Sequence, residues 1–177
     1  AKTMQAICVS IATEGGDQTE LGHPFTGGNG VTTRTISTIP YPICSIRPAT
    51  TLNSIANRIK IRIESFEILT DKDVFWQLIY KPTSITNASF SAPVTHSVME
   101  LDIAGTAIVG GIAIDGGYIS GGAANARGAG QKPITSKLPI VLDEAGTDQT
   151  RGLSLVLTRV GAQDAVAAAQ FNWTEVR

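Results

Sequence analysis

Charged residues are scarce in this sequence of 177 residues, where Asp, Glu, Lys and Arg together make up 16%. Soluble domains usually carry about 25%. The formal net charge is −1, so there is no basic surface of the kind that binds nucleic acid or an anionic membrane. We therefore expect neither as a partner. So few charges indicate instead that part of the surface is covered by other protein subunits.

Cysteine and histidine are also rare. Cys8 and Cys44 each lie in an apolar, strand-like stretch, which favours two buried thiols over a disulfide. His23 and His96 each lie beside turn residues, where a loop histidine is the favoured interpretation over a catalytic one. The GxSxG nucleophile motif and the phosphate-binding loop GxxxxGK[ST] are both missing. We expect no catalytic residue, no metal and no cofactor, so an enzyme is the least favoured class.

Long apolar runs are missing as well. No stretch approaches the roughly 20 apolar residues of a membrane-spanning helix, and the first residues lack a secretory signal pattern. The sequence therefore predicts no membrane association.

Helical periodicity is almost absent, and alternation with a period of two takes its place. Even the Ala-rich run AQDAVAAAQF at 162–171 alternates, so we predict it to be the final strand. Gly, Pro, Asn and Asp separate the predicted strands. The sequence thus predicts one all-β domain over 1–177, an antiparallel β-sandwich with jelly-roll character. The strand signals lie at 4–11, 43–47, 57–69, 73–80, 97–105, 107–120, 138–142, 153–160 and 162–171.

One strand signal changes phase in its middle. In NRIKIRIESFEIL (57–69) the isoleucines 59, 61 and 63 share one face, whereas Phe66 and Ile68 have the opposite parity. A β-bulge has this effect, because one extra residue moves the following side chains to the other face. We predict a bulge that keeps both halves facing the core; the alternative is two strands with a break near Glu64.

The alternation also predicts which side chains form the core. In SVMELDIAG (97–105), Leu101 is predicted to face inward, while Glu100 and Asp102 share a face that is predicted to be exposed. The residues predicted to be buried together are Ile61, Ile63, Trp76, Leu78, Leu101, Leu155 and Leu157.

Two segments do not resemble core strands. Residues 13–38 are polar and rich in Thr and Gly, and we predict an extended N-terminal arm that lies on a neighbouring subunit. Residues 105–130 are rich in glycine, and we predict an excursion whose paired glycines allow another backbone or a ligand to approach closely. The predicted interface residues are Gly110, Gly111, Gly116, Gly117, Gly121, Gly122, Phe25 and Trp173.

Several motifs resemble virion structural proteins of tailed bacteriophages, over about residues 40–177. They are Asn57-Arg58 at a strand start, Trp76 followed by the turn Lys81-Pro82-Thr83, the segment from Glu100 to Gly111, and the ending Trp173-Thr174-Glu175. Proteins with this pattern occupy head-decoration, tail and fibre positions, and the resemblance implies no catalytic residues.

The resemblance favours a capsid decoration (cement) protein. Such a protein would bind the major capsid protein and copies of itself, as a homo-oligomer and most simply a trimer, on the capsid surface of a virion assembled in the bacterial cytoplasm. The alternatives are a tail or fibre component and, from a different class, a carbohydrate-binding jelly-roll module that recognises host glycans.

Overall fold

A computed structural model describes residues 22–121, 128–133 and 152–176, with the side chains of 128–133 left aside. These residues form β-strands joined by turns and loops, and none of them is helical. The strands are β1 (His23–Gly28), β2 (Arg34–Ile36), β3 (Tyr41–Pro48), β4 (Thr51–Leu52), β5 (Ile55–Ala56), β6 (Lys60–Thr70), β7 (Val74–Tyr80), β8 (Ser84–Thr86), β9 (Met99–Asp102), β10 (Ala107–Val109), β11 (Ile112–Ile119), β12 (Gly128–Pro133), β13 (Leu153–Arg159) and β14 (Ala165–Val176).

Two antiparallel five-stranded sheets build the fold. In the first sheet, β14 pairs with β6 on one side and with β1 and β2 on the other, and β12 pairs with the far side of β6. The second sheet has the order β11-β7-β13-β3-β9. The β4–β5 hairpin and a two-stranded sheet of β8 and β10 complete the described strands. The predicted all-β sandwich is confirmed.

The core lies between the two sheets. It joins Phe66 of β6 to Trp76 of β7, whose ring centroids are 4.9 Å apart. Six of the seven residues predicted to be buried together belong to this cluster, and Leu101 is half-buried and packs against it. Because alternation alone predicted these residues, the inward faces of the strands are a property of the local sequence.

The phase change in the middle of β6 is a β-bulge. β6 is one continuous strand, and its register with β14 passes from Ser65↔Asn172 to Ile63↔Trp173, which leaves Glu64 unpaired. Ile63 and Phe66 are both buried on either side of this exposed glutamate. The bulge prediction is confirmed, and the alternative of two separate strands is wrong.

The Ala-rich run forms the first half of β14, as predicted. Its alanines are buried because other backbone lies close to them. Asn29 Oδ1 accepts a hydrogen bond from Ala169 N at 2.7 Å, and Asn29 N donates to Ala169 O at 3.1 Å. A side chain on Gly28 would collide with the carbonyl of Ala169. Small residues are therefore required where the β1–β2 connection crosses β14.

The predicted arm and the predicted Gly-rich excursion both differ from the structure. The described part of the arm, residues 22–38, contributes β1 and β2 to the first sheet. Much of 105–130 is also paired within the chain, since β11 extends the second sheet and β12 extends the first. The strand signal at 107–120 covers β11, whereas β1, β2 and β12 were not predicted as strands. Backbone pairing does not require apolar side chains, so polar and Gly-rich strands such as these give little signal. The strand signals at 4–11 and 138–142 lie outside the described residues.

The predicted exposure of Asp102 is wrong. Its side chain is fully buried, at 0% exposure, and its carboxylate accepts hydrogen bonds from the backbone N–H groups of Ser89 (2.8 Å), Ala104 (3.0 Å) and Gly105 (3.2 Å). The segment that follows β8, with Ser89, and the segment between β9 and β10, with Ala104 and Gly105, cover this part of the outer face. Glu100, on the same face, is half-buried and pairs with Arg47.

Cys44 is a buried free thiol, as predicted, while Cys8 lies outside the described residues. Burial, together with the nearby Asp102 carboxylate, raises the pKa of the Cys44 thiol well above its ordinary range. In a Cys8→Ser variant at pH 8, we expect iodoacetamide to label native Cys44 at least about a hundredfold more slowly than the unfolded chain. Mass spectrometry with and without urea measures this ratio. Equal labelling rates would contradict the burial of this strand.

A candidate interaction edge on strand β11

Strand β11 forms an outer edge of the second sheet. Among the described strands, β7 is its only hydrogen-bonded neighbour in that sheet. At the opposite edge, Ser91 caps β9 by exchanging two backbone hydrogen bonds with Leu101, at 3.0 and 2.8 Å. β11 has no such cap within the described part of the chain. Among the described strands, one row of its backbone groups thus has no strand partner, as at the edge of a sheet.

The side chains along this edge are apolar and exposed. The exposed fractions are 58% for Val109, 60% for Ile112, 37% for Ile114 and 75% for Tyr118. We call these four residues the β11 edge. Exposed apolar side chains are unremarkable when scattered, but three of them on β11, together with Val109 at the end of the adjoining β10, indicate a contact surface.

The β11 edge also lacks the residues that usually protect such strands from pairing. Natural edge strands often carry Lys or Pro, whereas 112–119 reads IAIDGGYI and contains neither. Its charged residue is Asp115, which is half-buried and whose Oδ1 accepts a hydrogen bond from Gly116 N at 2.8 Å. Lys and Pro therefore do not block pairing at this edge, and its protective features are the bulge between Ala113 and Asp115 and the half-buried Asp115.

A bulge in β11 explains the exposure of Ile114. The register with β7 shifts between Ala113 and Asp115, so Ile114 is the extra residue. Beyond the bulge, Gly117 lies against the indole of Trp76 in the core. Tyr118 points to the other face, where its ring lies 5.0 Å from that of Phe75. Apolar residues occur at both odd and even positions of β11. Their side chains therefore point to both faces of the sheet, and those on the outer face do not reach the core.

The predicted interface glycines have close neighbours in this chain itself. Gly110 and Gly111 form the β10–β11 turn with φ values of +66° and +92°, a conformation that L side chains rarely adopt. Gly116 is exposed next to the Trp76 carbonyl. A side chain on Gly121 would collide with the Lys72 backbone. The close backbone approach expected of the glycines is thus present within the chain.

The other predicted interface residues are Phe25, Trp173 and Gly122. Trp173 is 1% exposed in the core, and the half-buried Phe25 stacks on it with ring centroids 6.0 Å apart. Because its indole is buried and stacked on Phe25, Trp173 has no exposed surface with which to contact a neighbouring subunit. Gly122 lies outside the described residues.

The structure therefore brings Gly110, Gly111, Gly116 and Gly117 to the β11 edge, but the apolar residues between them carry the exposed surface. Sequence reasoning missed Ile112, Ile114 and Tyr118 as contact residues. The signal was present as apolar residues at both parities within a single strand. Apolar residues at both parities are typical of a strand that is covered on both faces.

Comparison with family models and with curated protein sequences finds no match for this chain. No helix long and apolar enough to cross a membrane occurs among the described residues. Within the same ranges, no group of three or more His, Cys, Asp or Glu side chains is placed to hold a metal ion. The β11 edge is thus the feature from which we propose a function.

Proposed function

We propose that this protein is a non-enzymatic structural component of a virion, most specifically a capsid decoration protein that bridges major capsid subunits and copies of itself. The β11 edge is the observation that carries the proposal. The β-sandwich fold and the resemblance of several sequence motifs to those of tailed-phage structural proteins support it.

The chemistry of the β11 edge suits strand addition by a neighbouring chain. In strand addition, backbone hydrogen bonds supply affinity and the alternate side chains supply specificity. Full burial of an Ile side chain stabilises a contact by about 1.5–3 kcal/mol, while association costs an estimated 4–15 kcal/mol in lost freedom of motion. The free energy gained by burying the few side chains of one short edge barely exceeds the cost of association. Stable attachment therefore requires several such contacts at once. A closed oligomer on a repeating shell provides them.

Symmetry restricts how the edge is used. Two β11 edges that pair with each other give a twofold dimer, because an isologous contact is self-complementary. In the proposed trimer, the β11 edge of each copy contacts a different surface of the next copy or of the capsid protein. Sedimentation of the purified chain distinguishes these arrangements by mass.

A lysine at the edge should weaken association. We expect Ile112→Lys to raise the dissociation constant of the oligomer at least about tenfold, equivalent to about 1.4 kcal/mol. Association would then either bury the charged lysine side chain or lose the strand pairing at this position. The melting temperature should change little, since Ile112 is exposed. Sedimentation velocity over a concentration series measures both the mass and the affinity.

Val160→Lys is the matched control, since Val160 is 54% exposed in the loop after β13. It should associate like the unmodified chain. A strictly monomeric wild-type chain, or equal weakening by both substitutions, would contradict the role of the β11 edge.

Attachment to particles tests the location on the virion. Purified protein added to particles that lack it should raise the temperature at which they release DNA, and Ile112→Lys should raise it less. Binding to the assembled state alone stabilises that state by mass action. Cross-links to the major capsid protein support a decoration role, whereas cross-links confined to tail proteins would replace it with the tail or fibre alternative.

A further inference from the structure

Three basic side chains lie on one face of the chain where β6 begins. Arg58, Lys60 and Arg62 are exposed, whereas Ile61 and Ile63, which alternate with them, are buried in the core. The basic side chains therefore point outward from the first sheet. Alternate residues of a strand are about 6.8 Å apart, so the three charges form a row about 14 Å long. We call Arg58, Lys60 and Arg62 the basic stripe.

The basic stripe has no partner in the part of the chain that the structure describes. None of its three side chains makes an ion pair or a hydrogen bond with another described residue. Every other basic residue with a described side chain does have a partner. These pairs are Arg34 with the Ile103 carbonyl, Arg47 with Glu100, Lys72 with Gln163, Lys81 with the Tyr80 ring and Arg159 with Asp164. The positive charge that the described fold leaves uncompensated is thus concentrated in the stripe.

The residues directly opposite the stripe are uncharged. Across β6 and β14, Lys60 pairs with Val176 and Arg62 pairs with Thr174. Thr174 in turn pairs with Pro24 of β1. An acidic residue in one of these positions would compensate the charge within the sheet. Because like charges in a row repel one another, an anionic partner from outside the fold would relieve this repulsion.

The length and surroundings of the stripe favour a protein segment over a nucleic acid. Glu64 is exposed and follows Arg62 at the same parity, so negative charge ends the stripe after three cations. Nucleic acids gain affinity from many phosphate contacts, and single strands also stack on aromatic rings. The stripe and the residues opposite it on β14 and β1 include no aromatic ring. A long polyanion would meet the Glu64 carboxylate, whereas a short acidic segment would not.

We propose that the basic stripe binds an acidic segment of another protein, in which Asp or Glu occupies alternate positions of an extended chain. The carboxylates of such a segment repeat every 6.8 Å or so, about the spacing of the cations in the stripe. Each carboxylate can therefore meet one cation, and a guanidinium can bind a carboxylate through two parallel hydrogen bonds. The stripe lies on the first sheet and the β11 edge on the second, so this inference does not depend on the assembly role.

Binding is tested with the full chain and synthetic peptides. The probe is acetyl-TETETET-amide, and acetyl-TTEEETT-amide has the same composition with clustered carboxylates. We expect the alternating peptide to bind saturably, to shift the amides of Lys60 and Arg62 in NMR spectra, and to bind at least about threefold more weakly when NaCl rises from about 50 to 200 mM. No saturable binding, equal binding of both peptides, or tighter binding of an oligothymidylate of eight nucleotides would overturn the proposal.

Charge reversal within the stripe tests its residues. Lys60→Glu and Arg62→Glu should each weaken binding of the alternating peptide at least about tenfold, while the melting temperature changes little because both side chains are exposed. Lys72→Glu is the matched control, since it changes the net charge equally in the turn after β6, where Lys72 Nζ donates to Gln163 Oε1 at 2.9 Å. It should bind the peptide as the wild type does.

Equal weakening by Lys60→Glu and Lys72→Glu would mean that only the net charge matters, and the proposal would fail. The oligomer mass should be unchanged in Lys60→Glu; a loss of self-association would instead assign the stripe to a contact between copies. Ile112→Lys should leave peptide binding unchanged. A failure of the stripe is therefore distinguishable from a failure of the β11 edge.

Discussion

Trp173→Ala is expected to lower the free energy of unfolding by about 3–5 kcal/mol, the usual cost of deleting a large buried aromatic side chain. The Trp173 indole is 1% exposed. It stacks on Phe25, and its Nε1 donates to the buried carboxylate of Glu175 at 3.3 Å. The substitution therefore leaves both a cavity and a carboxylate with one donor fewer. Denaturant titration measures the loss.

Val166→Ala on the same strand is the matched control, because Val166 is 39% exposed. A change within about 0.5 kcal/mol is expected there. If Trp173→Ala instead left the stability unchanged and weakened association, Trp173 would be an interface residue, as the sequence alone suggested.

Asp102→Ala is expected to lower the free energy of unfolding by about 3 kcal/mol. Its carboxylate accepts three backbone N–H groups, from Ser89, Ala104 and Gly105, and hydrogen bonds to a charged group contribute about 1.5–3 kcal/mol each. Water recovers part of this loss once the loops loosen. Hydrogen exchange should show faster exchange of those three amides.

Asp102→Asn should fall between the wild type and the alanine variant, because the amide keeps one acceptor oxygen. Asp73→Ala is the matched control, since Asp73 is exposed and accepts one backbone N–H, from Gly121 at 2.9 Å. Its expected cost is about 1 kcal/mol. Equal losses for Asp73→Ala and Asp102→Ala would contradict the anchoring role of Asp102.

The sequence alone predicted the β-sandwich, most of its core and the bulge in β6. These are local properties, because side chains in a strand alternate with a period of two whatever the strand pairs with. The phase change around Glu64 was visible for the same reason. The prediction of a final strand at 162–171, despite its alanines, also followed from alternation, and the structure places that strand at Ala165–Val176.

Only the tertiary structure decided which strands lie at the edges and what covers their outer faces. Strand pairing uses backbone groups common to all residues, so the sequence of β11 did not indicate that it lies at an edge. Alternation placed Glu100 and Asp102 on one face, but Asp102 is buried by the segment that directly follows β9, with Ala104 and Gly105, and by the loop that contains Ser89. The basic stripe likewise lies beside uncharged residues of β14 because of the strand order, which local sequence patterns do not specify.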